Sequence, residues 1–327
     1  MNTTISLGFD MGMGALKLWC ASGGYQLVSQ VASNGQGHLA DGILGLKNRK
    51  RPMLIKSEAG SFYVGFDAHK HGRPVESLDF DRLTGAPEMR ALLYGALAQY
   101  QTEFGPFDAP LALMVGLPLQ MMTGDSAKDY QKGVKSWLIG SHEYEADGLT
   151  HRVDIESVRQ TSQPVGALFD YVLDHRSQFI AERSAALLDE VGVISVGFNT
   201  VELLVVEGQS AVERFTRGNT LGVRRLLELI NRNSEFSLGE LDEKLRRGRL
   251  KAELKQALPI WSREVNGEVE AVWGSKHRRF SKVLIVGGGA LLLQDALTLQ
   301  FGHKAWVAPE AVLAIARGLW KLSMMKR

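Results

Sequence analysis

A single cysteine, Cys20, stands in the 327 residues. No internal disulfide can form, and neither a cysteine-based zinc site nor an iron–sulfur centre can be built. A reducing cytoplasm is the expected setting. An excess of one charge is also missing: 38 Lys and Arg face 36 Asp and Glu, a net charge of +2 with histidines neutral. That balance excludes a strongly basic nucleic-acid coat and an acidic tail. Long apolar runs are absent, because Ala109–Met122 and Val283–Leu293 are broken by Pro or Gly and fall short of the roughly 18–20 residues that span a bilayer. The first ten residues carry no basic region ahead of an apolar core, so no secretory signal is predicted. The eight histidines lack metal-ligand spacing, and His69-Lys70-His71 reads as an exposed loop. No GxxxxGK[ST] occurs, which excludes a P-loop.

What is present is a globular composition, 45% hydrophobic and 23% charged, over a length that suggests two domains. Two segments, Ile5–Lys17 and Val191–Leu204, share one design: a β run, a turn built on glycine, and a second β run. The turns are Asp10-Met11-Gly12-Met13-Gly14 and Gly197-Phe198-Asn199. Between them lie a strand, Pro110–Leu117, and helical stretches Gly166–Leu173 and Arg176–Leu188. After the second hairpin, apolar spacing predicts helices over Val223–Ile230, the highly charged Leu238–Ala257, Ala290–Leu299 and Val312–Leu322, with a β run at Lys282–Val286. Alternating strands and helices make this an α/β chain. Two hairpin-led halves of similar size predict duplicated domains facing a cleft.

A glycine-rich turn lets backbone N–H groups approach a phosphate, because no Cβ obstructs them. Asp10 is an acid placed at such a turn, suited to holding Mg²⁺ through water, and Lys17 is placed to neutralise phosphate charge. Taken alone, Asp10-Met11-Gly12 reads as a tight turn with a helpful aspartate. Gly287-Gly288-Gly289, between a strand and a helix, offers a second unobstructed backbone at a helix N-terminus, or simply a tightly packed turn. Gln163 before Pro164 reads on its own as a polar residue opening a helix.

In order along the chain, five signals resemble the actin/DnaK/sugar-kinase superfamily, and within it the plasmid-partitioning actins of the ParM/StbA type. They are Phe9–Lys17, Gln163–Leu168, Ser195–Thr200, Gly218–Gly222 and Val283–Ala290; Leu113–Leu119 and Pro309–Leu322 also fit. The resemblance implies a two-domain actin-like fold of ribonuclease-H-like duplicated domains, with ATP or GTP and Mg²⁺ in the cleft. The first domain would be 1–158, completed by the terminal helix 307–327, and the second 159–306. Carried over, Asp10 organises Mg²⁺, Gly12 and Gly14 approach the β/γ-phosphates, and Lys17 contacts phosphate. Gln163 is similar in position to the residue that orients the attacking water. Gly197, Asn199, Thr200 and Gly218 belong to the second phosphate-binding side, Gly287, Gly288 and Gly289 pass beside the α-phosphate and adenosine, and Glu243 and Lys244 resemble ribose- and adenine-side contacts.

One position departs from the pattern. The family has an Asp in a D-x-G-x-x-T run where this chain has Ser195, with Gly197 and Thr200 retained. A hydroxyl does not supply the charge that orders Mg²⁺-bound water. The resemblance therefore implies either an ATPase that polymerises and segregates plasmid DNA through a ParR-like DNA-bound adaptor, or a nucleotide-binding scaffold that hydrolyses little. A small-molecule kinase would need an aspartate facing an acceptor, and no candidate stands out. Basic clusters at Lys47–Arg51, Arg246–Lys251 and Lys276–Arg279 read as solvated faces or filament contacts, with no direct nucleic acid. The terminal helix reads as core packing, with no membrane contact.

Overall fold

The computed structural model describes residues 4–33 and 51–325; of the Lys47–Arg51 cluster only Arg51 falls within them. Two sheets are built on the same plan. In the first, Gly23–Val28, Ala15–Cys20 and Ile5–Met11 run antiparallel in succession, and Ile5–Met11 then pairs parallel with Leu111–Leu117, which pairs parallel with Leu149–Ser162. The second repeats it: Ser210–Ala211, Val201–Glu207 and Glu190–Val196 are antiparallel, followed by the parallel strands Lys282–Val286 and Ala305–Val307. Both predicted hairpins are present, in the registers Gly8↔Trp19 to Met11↔Leu16 and Glu190↔Glu207 to Val196↔Val201. Beyond Leu149–Ser162 the first sheet continues through Gly140–Ala146 into a lobe of Met53–Ser57, Gly60–Val64, Val31–Ser33 and Arg73–Pro74.

The central strands Ile5–Met11, Glu190–Val196 and Lys282–Val286 are apolar almost throughout and buried on both faces, as parallel strands covered by helices must be. Pro87–Phe104 covers the first sheet, burying Met89, Leu92, Leu93 and Leu97. Val223–Ile230, Lys251–Trp273 and Ala290–Phe301 cover the second. Between the sheets lie Gln163–Val172 and Ala314–Met324, whose core includes Met114, Leu168, Val193, Leu284 and Leu319. Their backbones touch: a Cβ on Gly318 would run into the carbonyl of Gly166. Beside that crossing, Asp170 is buried and takes Arg317 Nε and Nη2 at 2.7 Å each and Lys321 Nζ at 2.8 Å. The terminal helix is thus core, with Ala314, Ile315, Ala316 and Leu319 buried. Among the described residues no helix is long and apolar enough to cross a membrane.

Three local readings of the sequence are corrected. Leu238–Ala257 is not one helix: Leu238–Arg246 ends and Lys251–Trp273 begins anew, separated at Gly248, whose φ of 66° is left-handed. Arg176–Leu188 forms only the short helix Ala181–Ala185 and the 3₁₀ turn Ala186–Leu188, because Asp174 Oδ1 accepts from the N–H groups of Arg176 and Gln178 and holds an irregular turn. His69 is not exposed. Its side chain is 7% accessible and faces Glu243.

Candidate functional site

Because the central strands of each sheet are parallel, their C-terminal ends share one edge, where α/β sheets bind ligands. Those two edges face each other across a cavity of about 280 Å³. From the first half, Ile5–Met11 and its hairpin present Asp10, Gly12, Gly14 and Lys17, and the end of Leu149–Ser162 presents Gln163. From the second half come Ser195, Gly197, Asn199 and Thr200 of the other hairpin and Gly287, Gly288 and Gly289 after Lys282–Val286.

Asp10 is 1% exposed, and both of its oxygens are engaged. Oδ2 accepts from Lys17 Nζ at 2.9 Å and Oδ1 from Gln163 Nε2 at 2.8 Å. Lys17 reaches it because Asp10 and Lys17 are paired across the hairpin. Gln163 reaches it because Pro164 starts the following helix at once, fixing Gln163 in its first turn. The amide is thereby oriented, nitrogen toward Asp10 and oxygen away. Ser29 Oγ donates to the Gly12 carbonyl at 2.9 Å and holds the turn. On the other side, Gly287 has φ of 94° and lies against the Val196 carbonyl, a place where a side chain would clash. The turn there is built for close backbone approach.

The second hairpin holds a residue the sequence reading passed over. Glu202 is paired with Ser195 across the ladder and is 1% exposed. Its Oε1 accepts the Leu119 N–H at 2.6 Å, a bond from the second half to the first, and its Oε2 has no partner. Burial, and to a lesser degree the charge of Asp10, push its carboxyl up to about 8 against the Leu119 N–H, which acts to lower it. The available signal was a lone acid inside the apolar run Val201–Val206. Below its unfolded value of 4.5 both states carry the proton; above it only the unfolded chain releases it, so stability drains away as pH rises toward about 8. Glu202→Gln is therefore expected to melt higher than the parent without ligand, by a margin that grows from pH 5 to pH 8 in a calorimetric series. A constant margin would contradict this account.

Gly218, Glu243 and Lys244 are not brought to the cavity. Gly218 packs on the Gln120 side chain, and Lys244 lies over the Phe236 ring. The helix Leu238–Arg246 instead turns Asp242, Leu245 and Arg246 inward. Burial raises the Asp242 carboxyl while Arg246, 2.7 Å away, opposes the shift. Arg246 Nη2 also donates to the Gly14 carbonyl at 3.3 Å. Glu243 belongs to a strap that ties the helix Leu238–Arg246 to the first half. It takes Lys70 Nζ at 3.0 Å, Arg247 reaches Asp67 at 3.1 Å, and Gly239 is held at 2.9 Å by Gln30 and by Glu76.

Residues 8–166 match the family model for the N-terminal domain of actin-like proteins, and residues 193–299 match that for the C-terminal domain of archaeal MreB-like actin homologues. Two actin-family models in sequence, over two halves of one topology, decide the matter. The chain is a member of the actin superfamily. Solved structures agree on the actin fold. The apo crystal structure of psk41 ParM is 17% identical, with a TM-score of 0.71 over 98% of this chain and 97% of that one. A 15-stranded ParM filament from Clostridium botulinum gives 19% and 0.75 over 98% and 99%. The archaeal actin homologue Ta0583 in complex with ADP gives 16% and 0.70 over 98% and 99%. No curated protein matches this actin-like chain by sequence.

No group of three or more His, Cys, Asp or Glu is positioned to hold a metal among the described residues of this actin-like protein. Mg²⁺ does not require one, since it keeps several waters and uses one or two carboxylates beside phosphates. Asp10 at the floor, with the glycine turns around it, fits that demand.

Proposed function

We propose that this actin-like chain is a nucleotide-dependent filament-forming ATPase that binds ATP with Mg²⁺ between its two hairpins. The reading rests on one observation: two equivalent hairpin turns face one cavity whose floor holds Asp10, Lys17 and Gln163 in contact. Asp10 would hold Mg²⁺ through water, and Lys17 and the open backbone at Gly12, Gly14 and Gly287–Gly289 would receive phosphates. Gln163, its amide fixed by Asp10, would hold a water in line with the γ-phosphate, as glutamine does in small GTPases. Mg²⁺, when bound, neutralises charge on the phosphates. The nucleotide would bridge domain 1–158 with 307–327 and domain 159–306, so binding favours the closed form and phosphate loss loosens it.

Subunits would add head to tail, a heterologous contact that does not close on itself. The filament neighbour from Clostridium botulinum supports this, and the ADP-bound archaeal homologue supports a nucleotide in the cleft. The cellular role we propose is cytoplasmic segregation of plasmid DNA through a ParR-like DNA-bound adaptor. Ser195 favours a second reading, a scaffold filament that binds nucleotide and hydrolyses it slowly.

Light scattering at 90° with simultaneous phosphate release, in Mg²⁺ and ATP, separates the two. Scattering that rises above a critical concentration and decays as phosphate appears is the expected result. A stable rise without phosphate favours the scaffold. No rise with ATP or with a non-hydrolysable analogue would remove the filament reading.

A further inference from the structure

We propose that His69 and Glu243 form a proton-operated latch between the two halves, one that tightens as pH falls. The latch does not depend on what the cavity holds. His69 belongs to the 3₁₀ turn Ala68–Lys70 of the first half and Glu243 to the helix Leu238–Arg246 of the second, and each side chain is 7% accessible. His69 Nε2 and Glu243 Oε2 lie 3.8 Å apart, just beyond hydrogen-bond distance.

A third residue fixes where the hydrogen sits. Gln30 Nε2 donates to the Gly239 carbonyl at 2.9 Å, so its amide oxygen is the atom that faces His69 Nδ1 at 3.3 Å. An amide oxygen only accepts; Nδ1 therefore carries the hydrogen, and neutral His69 presents Nε2 as a bare lone pair. Two acceptors face each other. Glu243 Oε1 takes Lys70 Nζ at 3.0 Å and Arg247 Nε at 3.2 Å, while Oε2 is buried with no hydrogen-bond partner among the described residues. A proton on Nε2 supplies what both atoms lack. It makes the pair a charged hydrogen bond after a closure of about 1 Å, and histidine is the side chain that takes up a proton between pH 8 and pH 5.

The other charges around His69 are engaged elsewhere. Asp67 takes Lys70 and Arg247, and Glu240 closes a capping box with Ser237. Asp242 holds Arg246, Glu76 accepts the Gly239 N–H, and Arg82 donates to the Ser77 carbonyl and faces Glu88. His71 lies against the Tyr63 ring. Glu243 Oε2 is thus the acceptor left for the proton. Because closing binds that proton, the latch is strongest at the acid end of the range and is lost as pH rises through it.

Double electron–electron resonance on nucleotide-free protein reads the opening between the halves, with spin labels at Glu58→Cys and Asn233→Cys in a Cys20→Ala background. Both label sites are exposed, one in each half. From pH 8 to pH 6 the ratio of closed to open molecules should rise about tenfold, the worth of one hydrogen bond to a charged group. Glu243→Gln and His69→Gln should each flatten that profile, the second while leaving Glu243 with Lys70 and Arg247. A parent whose ratio ignores pH, or either variant with the parental profile, overturns the latch. So does a ¹⁵N spectrum of the parent at pH 8 in which His69 carries its hydrogen on Nε2, a reading that needs no variant to fold.

Discussion

Asp10→Ala is expected to reverse the magnesium dependence of nucleotide binding and to abolish assembly. In the parent, Asp10 is a buried carboxylate at the floor of the cavity proposed to take phosphates, paired with Lys17 at 2.9 Å. On the proposed function, it would repel a nucleotide without a cation and become the attachment point with one. Removing it should therefore leave affinity in EDTA equal or higher, because Lys17 is released toward the phosphates. In Mg²⁺ the variant should lose the charged hydrogen bonds that Asp10 makes to hydrated metal. At about 1.5–3 kcal/mol for each such bond, the loss is on the order of tenfold to a hundredfold in Kd. Gln163 loses its orienting partner in the same step. Titration with a fluorescent nucleotide in Mg²⁺ and EDTA, beside light scattering, reads both effects. Assembly at the parental level would remove the assignment of the first hairpin.

The largest expected loss of stability lies away from the cavity. Asp170→Ala strips the carboxylate from Arg317 and Lys321, whose side chains are 14% and 10% accessible. Breaking a buried pair from one side costs about 3–5 kcal/mol, because the partner charges remain where water does not reach them. Lys321 keeps the carbonyls of Asp170 and Leu173, and Arg317 keeps Glu310, which places the effect nearer the lower figure. A fall in Tm of roughly 4–7 °C follows. The triple variant Asp170→Leu, Arg317→Met, Lys321→Met should recover most of it, since apolar replacement of a whole buried ionic group is often close to neutral. If the triple variant is as unstable as Asp170→Ala, the helix crossing rather than orphaned charge is what failed.

What the sequence revealed and what it hid divide along the reach of the interactions. The two hairpins and the strand before Gly287 were legible because local signals specify them: short apolar runs, turn glycines, and a helix opened by Pro164. The cavity residues on those turns came with them, since a backbone turn fixes where its own residues sit. The helix Leu238–Arg246 was legible as a helix but not in its rotation. The face it presents is chosen by the strap to Gln30, Asp67, Lys70 and Glu76, more than 160 residues away in the chain, and a one-residue phase difference exchanges Glu243 for Asp242. Glu202 was hidden for another reason: an acid in a β run carries no mark of whether it faces water or a buried wall. Only the register opposite Ser195 and the approach of Leu119 separate the two.

The strap joins the two halves by charge, apart from the groups that line the cavity. The floor groups Asp10 and Gln163 are buried. Asp67, Lys70, Glu243 and Arg247 cross between the halves, three of them partly open to solvent. Such pairs weaken as salt shortens the reach of charge, about 8 Å at physiological ionic strength. The grip of one half on the other thus answers to the ionic medium, while the contacts of Asp10 at the floor are shielded from it.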